Sequence, residues 1–229
     1  MFATTFGDLC ACTFVESTFD VDVSTLHRFE QSHAVPDSLR RAVLKRQIEF
    51  LAGRVCAQQA IERLTGHKPA SIPSRLDRAP NWPLGIVGAI THTTGYAAAL
   101  VASATYYQGI GIDCEVVLSA DNLKLQRHIC VPNELEELQV AHRTWSPELL
   151  LTLVFSAKES LYKCLYPQVQ KYFGFCAARV IALDSERHTF VIQLEQDLHA
   201  NLRAHCRWTG HCIRRHHLLM TAILYAQEA

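Results

Sequence analysis

The 229 residues are 49% hydrophobic and 19% charged, with zero formal net charge and a mean hydropathy of +0.04. Such a chain is globular, has ample core for one large domain or two small ones, and lacks the basic excess that general nucleic-acid binding needs. It shows no secretory signal pattern and no apolar run that spans a bilayer, so no transmembrane segment is expected.

Nine cysteines, with no C-x-x-C pair among them, fit free thiols in a reducing cytoplasm. Charge is unevenly spread. Ten Lys/Arg face five acids between Arg28 and Arg78, and seven acids face three bases between Asp113 and Glu148. A basic segment beside an acidic one suits an anionic ligand held next to a metal.

In chain order, the first thirty-odd residues hold no clear element beyond a strand near Cys12–Val15. Residues 37–64 read as one long helix closed by Gly66, with Arg40, Arg41, Lys45, Arg46 and Arg54 as its solvated basic face. A Pro-rich loop, Arg75 to Pro83, follows. Ile86–Ile90 and Tyr96–Val101 read as strands joined through Thr91-His92-Thr93-Thr94-Gly95. His92 lies beside that turn, where it is either simply exposed or a donor to a phosphate.

A third strand, Ile110–Val116, alternates with period two. Ile110, Ile112, Cys114 and Val116 take one face; Gly111, Asp113 and Glu115 take the other. Helix and loop with an acidic patch at Glu134, Glu136 and Glu137 cover residues 119–145. A second long helix opens at Ser146-Pro147-Glu148, an N-cap serine, a first-turn proline and an acid, and closes at Pro167. Ala178–Leu183 and Thr189–Leu194 read as a hairpin, and Ile213–Tyr225 as a last strand. The layout of long helix plus strands occurs twice. This implies an α+β chain of two similar subdomains, each a long helix packed on a small, mainly antiparallel sheet, in pseudo-twofold arrangement, with the boundary at residues 108/109.

The second long helix is apolar over most of its girth. At 100° per residue, Thr152, Ser156, Glu159, Ser160 and Lys163 form one polar stripe, which is expected to face a site or a cleft. Glu159 and Lys163 are also spaced as an ordinary i, i+4 ion pair, and Ser156-x-x-Glu159 has the spacing of a capping box. Lys158 projects into the apolar arc, where an ammonium needs an anion or a route to water.

Asp113 and Glu115 on one strand face are either a solvated pair or a pair of hard oxygen ligands. Two carboxylates that close repel, and a divalent cation relieves them; with no His or Cys beside them, Mg²⁺ is favoured over Zn²⁺. Glu159 is the candidate third ligand. Cys206, His211, Cys212, His216 and His217 are a second metal candidate, of zinc type, but lack tight ligand pairs.

Gly111-Ile112-Asp113-Cys114-Glu115, followed about forty residues on by Phe155-Ser156-Ala157-Lys158-Glu159-Ser160-Leu161-Tyr162-Lys163, resembles the paired signature of Sfp-type 4′-phosphopantetheinyl transferases. The best subgroup match is the branch of the enterobactin synthase component D proteins. Thr91-His92-Thr93-Thr94-Gly95-Tyr96, Phe50-Leu51-Ala52-Gly53-Arg54 and Arg78-x-Pro80-x-Trp82-Pro83 match further motifs of that family in the right order. Phe155 stands where the family commonly has Trp, and Thr91 where it has Ser.

The resemblance implies transfer of the 4′-phosphopantetheine arm of coenzyme A (CoA) to a serine of an apo acyl or peptidyl carrier protein, with release of adenosine 3′,5′-bisphosphate. It implies Mg²⁺ held by Asp113, Glu115 and Glu159, with Lys163 and Lys158 on the CoA diphosphate. Thr91, His92, Arg54 and Arg78 would contact phosphate at the nucleotide end. Glu159 would be the general base, with Glu134 as a second candidate, and Asp113 and Lys163 would act beside it. Residues 1–108 would be the CoA nucleotide side and 109–229 the magnesium and catalytic side. A cytoplasmic monomer serving siderophore, secondary-metabolite or fatty-acid synthesis is expected. The competing reading is a catalytically inactive module that binds CoA or nucleotides.

Overall fold

The computed structural model describes Phe6, Leu9 and residues 11–227; Cys10 lies outside this set. Backbone contacts divide the chain into two units, one drawn from Thr5–Gln108 and joined by Gln227, the other spanning Gly109–Ala226.

The N-terminal unit is a three-stranded sheet under a long helix. Its elements are β1 (Cys12–Thr18), α1 (Val23–Glu30), α2 (Leu44–Thr65), β2 (Ile86–Thr93) and β3 (Tyr96–Ser103), in sheet order β1-β3-β2. Both pairings are antiparallel, and β2 and β3 form a hairpin whose loop holds Gly95 at φ +73°. β3 carries Ala97, Ala98, Ala99 and Ala102, all fully buried. Small side chains there let α2 lie close, with Ile48, Leu51, Ala52, Cys56 and Ile61 in the shared core. α2 also packs tightly on β2 at Gly53, where a Cβ would stand 2.6 Å from Ile90 Cγ2.

Two expectations change in this unit. The long helix starts at Leu44, and residues 37–39 form only a 3₁₀ turn. The Gln47 side-chain amide donates to Ala42 O at 2.7 Å and so caps the break from within. α1 was not foreseen, because eight residues are too few to show a periodicity. Its signal was the N-cap, Asp22, whose carboxylate accepts from Thr25 N at 2.7 Å.

The C-terminal unit contains β4 (Tyr107–Val116, entering the unit at Gly109), α3 (Gln126–Ile129), α4 (Glu134–Ala141), α5 (Pro147–Val169), β5 (Ala178–Asp184), β6 (Thr189–Leu194), β7 (Arg207–Arg215) and β8 (Leu218–Ala226). The sheet order is β4-β8-β7-β6-β5. α5 begins as its sequence dictates, with Ser146 Oγ accepting from Leu149 N and Pro147 in the first turn. It runs past Pro167 to a left-handed Gln170, whose N–H bonds Tyr166 O at 2.8 Å. The expected last strand is instead a hairpin, with β7 and β8 turning at His216 and His217. His216 sits at φ +52°, and histidine is a rare enough turn residue that the break was hidden.

The unit's core is built on α5, with Leu150, Leu151, Leu153, Val154, Ala157, Leu161 and Leu165 fully buried. No helix among the described residues is long and apolar enough to cross a membrane, and every described cysteine is free.

Candidate active site

Two glycines place the acidic residues. On β4, Gly109, Gly111, Asp113 and Glu115 alternate onto one face. A Cβ on Gly109 would lie 2.1 Å from Cys164 O, and one on Gly111 only 1.7 Å from Ser160 O. Strand and helix therefore touch backbone to backbone, a distance that no side chain permits. Farther along the same face, the strand carries Asp113 and Glu115 into the neighbourhood of Glu159 and Lys163.

Lys163 Nζ donates to Asp113 Oδ1 at 2.7 Å and to Ile112 O at 3.0 Å. Asp113 is 4% exposed, and its Oδ2 is buried with no hydrogen-bond partner. Burial, then the Asp113 and Glu159 charges, push the Glu115 carboxyl up to about 7, against the partial pull of Lys163. Burial raises the Glu159 carboxyl too; Lys163 opposes the rise and Asp113 adds to it. The three acids thus sense one another's charge. They are not drawn up as a ligand set, and among the described residues no group of three or more His, Cys, Asp or Glu could hold a metal ion as it stands. The fit to a divalent cation rests on the donors themselves: hard carboxylate oxygens that repel one another, one of them a buried acceptor that nothing in the protein satisfies.

A pocket of about 140 Å³ opens beside Glu159, lined mainly by Leu161, Tyr162, Tyr172, Phe173, Phe175 and Ala178. Its rings Tyr162 and Phe173 pack at 4.9 Å between centroids, and Phe175 is backed by Phe155, outside the lining, at 5.4 Å.

The N-terminal unit has a basic cluster of its own. Arg46 Nη1 lies 2.7 Å from His92 Nε2, and His92 Nδ1 lies 3.5 Å from Glu49 Oε2. The guanidinium can only donate, so Nε2 accepts and the ring proton sits on Nδ1, toward Glu49. Lys45 Nζ donates to Thr94 Oγ1 at 2.8 Å. Arg54 is 5% exposed, stacks 4.6 Å over the Phe50 ring, donates to Ser74 Oγ at 2.9 Å, and has a buried Nε with no acceptor. Burial and the Arg46 charge lower the Arg54 pKa to about 10.

Two family models match the chain: the 4′-phosphopantetheinyl transferase N-terminal domain over residues 32–102, and the 4′-phosphopantetheinyl transferase superfamily over residues 109–217. The chain is 36% identical over 180 residues to 4′-phosphopantetheinyl transferase Svp of Streptomyces mobaraensis, covering 76% of this chain and 68% of that one. It is 35% identical over 163 residues to enterobactin synthase component D of Escherichia coli O157:H7, covering 71% and 73%.

The chain belongs to the 4′-phosphopantetheinyl transferase superfamily.

It is also 36% identical over 142 residues to 4′-phosphopantetheinyl transferase Npt of Nocardia iowensis, a match that spans 62% of each chain. Within this superfamily member, several expectations need revision. Thr152, Ser156 and Ser160 do not line a cleft. Ser156 and Ser160 bond Thr221 of β8 at 2.9 and 2.7 Å, and Thr152 accepts from Leu118 N. Only Glu159 and Lys163 of the stripe reach solvent.

Lys158 meets an anion of the protein rather than one from a ligand. Its Nζ lies 2.7 Å from Glu134 Oε2. Glu134, with both oxygens engaged, is therefore no free base. Thr91 and His92 are consecutive on a regular strand and so point to opposite faces; Thr91 is buried. Arg78 lies exposed on its loop, at φ +70°. His216 and His217 lie in a turn, and the Cys/His set does not form a zinc site.

Sequence reasoning missed Arg46 and Glu49, which it assigned to a solvated face or passed over. The available signal was spacing, since positions 46, 49, 50, 53 and 54 share one helix face.

Proposed function

We propose that the chain transfers the 4′-phosphopantetheine arm of CoA to a serine hydroxyl of an apo acyl or peptidyl carrier protein, Mg²⁺-dependently, releasing adenosine 3′,5′-bisphosphate. The observation that carries this reading is Asp113 Oδ2, a buried carboxylate oxygen without a partner, set among mutually repelling acids beside Lys163. Asp113, Glu115 and Glu159 would hold Mg²⁺, which supplies charge neutralisation at the CoA diphosphate.

Lys163 stabilises the charge that builds on that diphosphate as it is cleaved. Glu159, raised by its burial, takes the serine proton directly or through a water. The serine oxygen bonds to the phosphorus bearing the pantetheine. The bond from that phosphorus to the bridging oxygen breaks, and the nucleotide leaves with the electron pair. The aromatic pocket beside Glu159 suits the pantetheine arm. Taken by itself, the N-terminal unit offers Arg46, His92 and Arg54 as a basic cluster whose chemistry suits a phosphate such as the 3′-phosphate of CoA, supported by the unsatisfied donor on Arg54. Arg78, on its exposed loop, is a further cation for phosphate.

The test is incubation with CoA, Mg²⁺ and a panel of apo carrier proteins, followed by intact mass. Gain of the phosphopantetheine mass, abolished by chelator, supports the reading. CoA binding without modification of any carrier supports the inactive module instead.

A further inference from the structure

Lys158 and Glu134 are buried as a pair, at 3% and 1% exposure. Lys158 Nζ reaches Glu134 Oε2 at 2.7 Å and donates to Ile129 O at 2.8 Å. Glu134 Oε2 also accepts from Val131 N at 2.9 Å, and its Oε1 accepts from Val180 N at 2.7 Å. One ion pair thus ties four pieces of chain together: the end of α3 with the loop after it, the first turn of α4, the middle of α5, and β5. The desolvation of two buried charges largely cancels their attraction, so such a pair contributes little net stability, whereas losing one partner strands the other. What the pair does supply is a fixed geometry.

That geometry bears on the pocket. Lys158 is the residue before Glu159. Val180, held by the Glu134 carboxylate, lies two residues beyond Ala178, which lines the pocket together with Phe173 and Phe175. The pair therefore fastens the wall made by residues 173–178 to the helix that carries Glu159.

Lys158 is itself among the residues lining that pocket. We propose that Lys158 and Glu134 act as a single positioning unit for the pocket beside Glu159, the ammonium and the carboxylate engaging each other rather than substrate. The proposal rests on the transferase reading, in which that pocket takes the pantetheine arm. It differs from a ligand role for Lys158 in one respect: Glu134→Gln leaves the ammonium in place, so a ligand lysine would keep working.

The experiment compares Lys158→Met, Glu134→Gln and the double variant with the unaltered chain, well below their melting temperatures. It measures kcat/KM for CoA with an apo carrier protein and amide hydrogen exchange over residues 173–180. Each single variant is expected to lose about 30-fold in kcat/KM, within what a displacement near 1 Å costs. The double variant is expected to lose no more than either single, and all three should exchange faster over the pocket wall. The proposal is overturned if Glu134→Gln stays near full activity while Lys158→Met fails, if the two losses multiply, or if exchange over residues 173–180 is unchanged. Exchange is read without catalysis. An unaltered chain that modifies no carrier would therefore sink the transferase reading while exchange still decides whether the pair fastens the wall.

Discussion

Lys163 Nζ stands 2.7 Å from Asp113 Oδ1, while Asp113 Oδ2, on the same carboxylate, is buried and bonded to nothing. One oxygen is matched within the protein and the other is left as an acceptor for something else. Asp113→Asn should therefore lower transfer by about 10³-fold or more, since metal-held charge is worth several kcal/mol in a transition state. The fold should persist, because the Lys163 partner is partly solvated. Intact-mass kinetics alongside a thermal melt check both halves.

The carboxyl of Glu115 predicts a pH dependence in chelated protein. Its folded-state pKa is raised from 4.5 to about 7, so between those values the folded chain holds a proton that the unfolded chain has released. Stability then falls as pH rises through that window. Glu115→Gln should flatten the fall and raise the melting temperature near pH 7.5. Added Mg²⁺ should stabilise the unaltered chain more at pH 7.5 than at pH 5.5, because the cation competes with that proton. Melts across pH, with and without the cation, measure both effects.

At Gly111 the prediction concerns packing. Gly111→Ala would put a methyl group 1.7 Å from the Ser160 carbonyl oxygen, and backbone cannot rotate aside as a side chain can. A loss of about 3 kcal/mol or more is expected, at the upper end for overpacking. Urea unfolding measures it. Activity should fall beyond the unfolded fraction, because pushing α5 off β4 separates Glu159 from Asp113.

Arg46 tests the basic cluster. With His92 held at 2.7 Å, Arg46→Ala should raise KM for CoA about 10-fold, the weight of one charged hydrogen bond. KM for dephospho-CoA should hardly change. Equal losses for both substrates would move Arg46 away from the 3′-phosphate.

The sequence by itself determined the α+β layout and the two long helices, because these follow from local periodicity and cap residues. It also read Asp113 and Glu115 onto one strand face and Glu159 beside Lys163. Partners distant in sequence were not legible. That Glu134 answers Lys158, that Thr221 takes up Ser156 and Ser160, and that Arg46 meets His92 all depend on which surfaces pack together. A helical stripe shows that polar groups share a face but not what that face meets. Which of them are buried and which face solvent is decided by what packs on α5, Thr221 of β8 and Leu118 as well as β4 at Gly109 and Gly111.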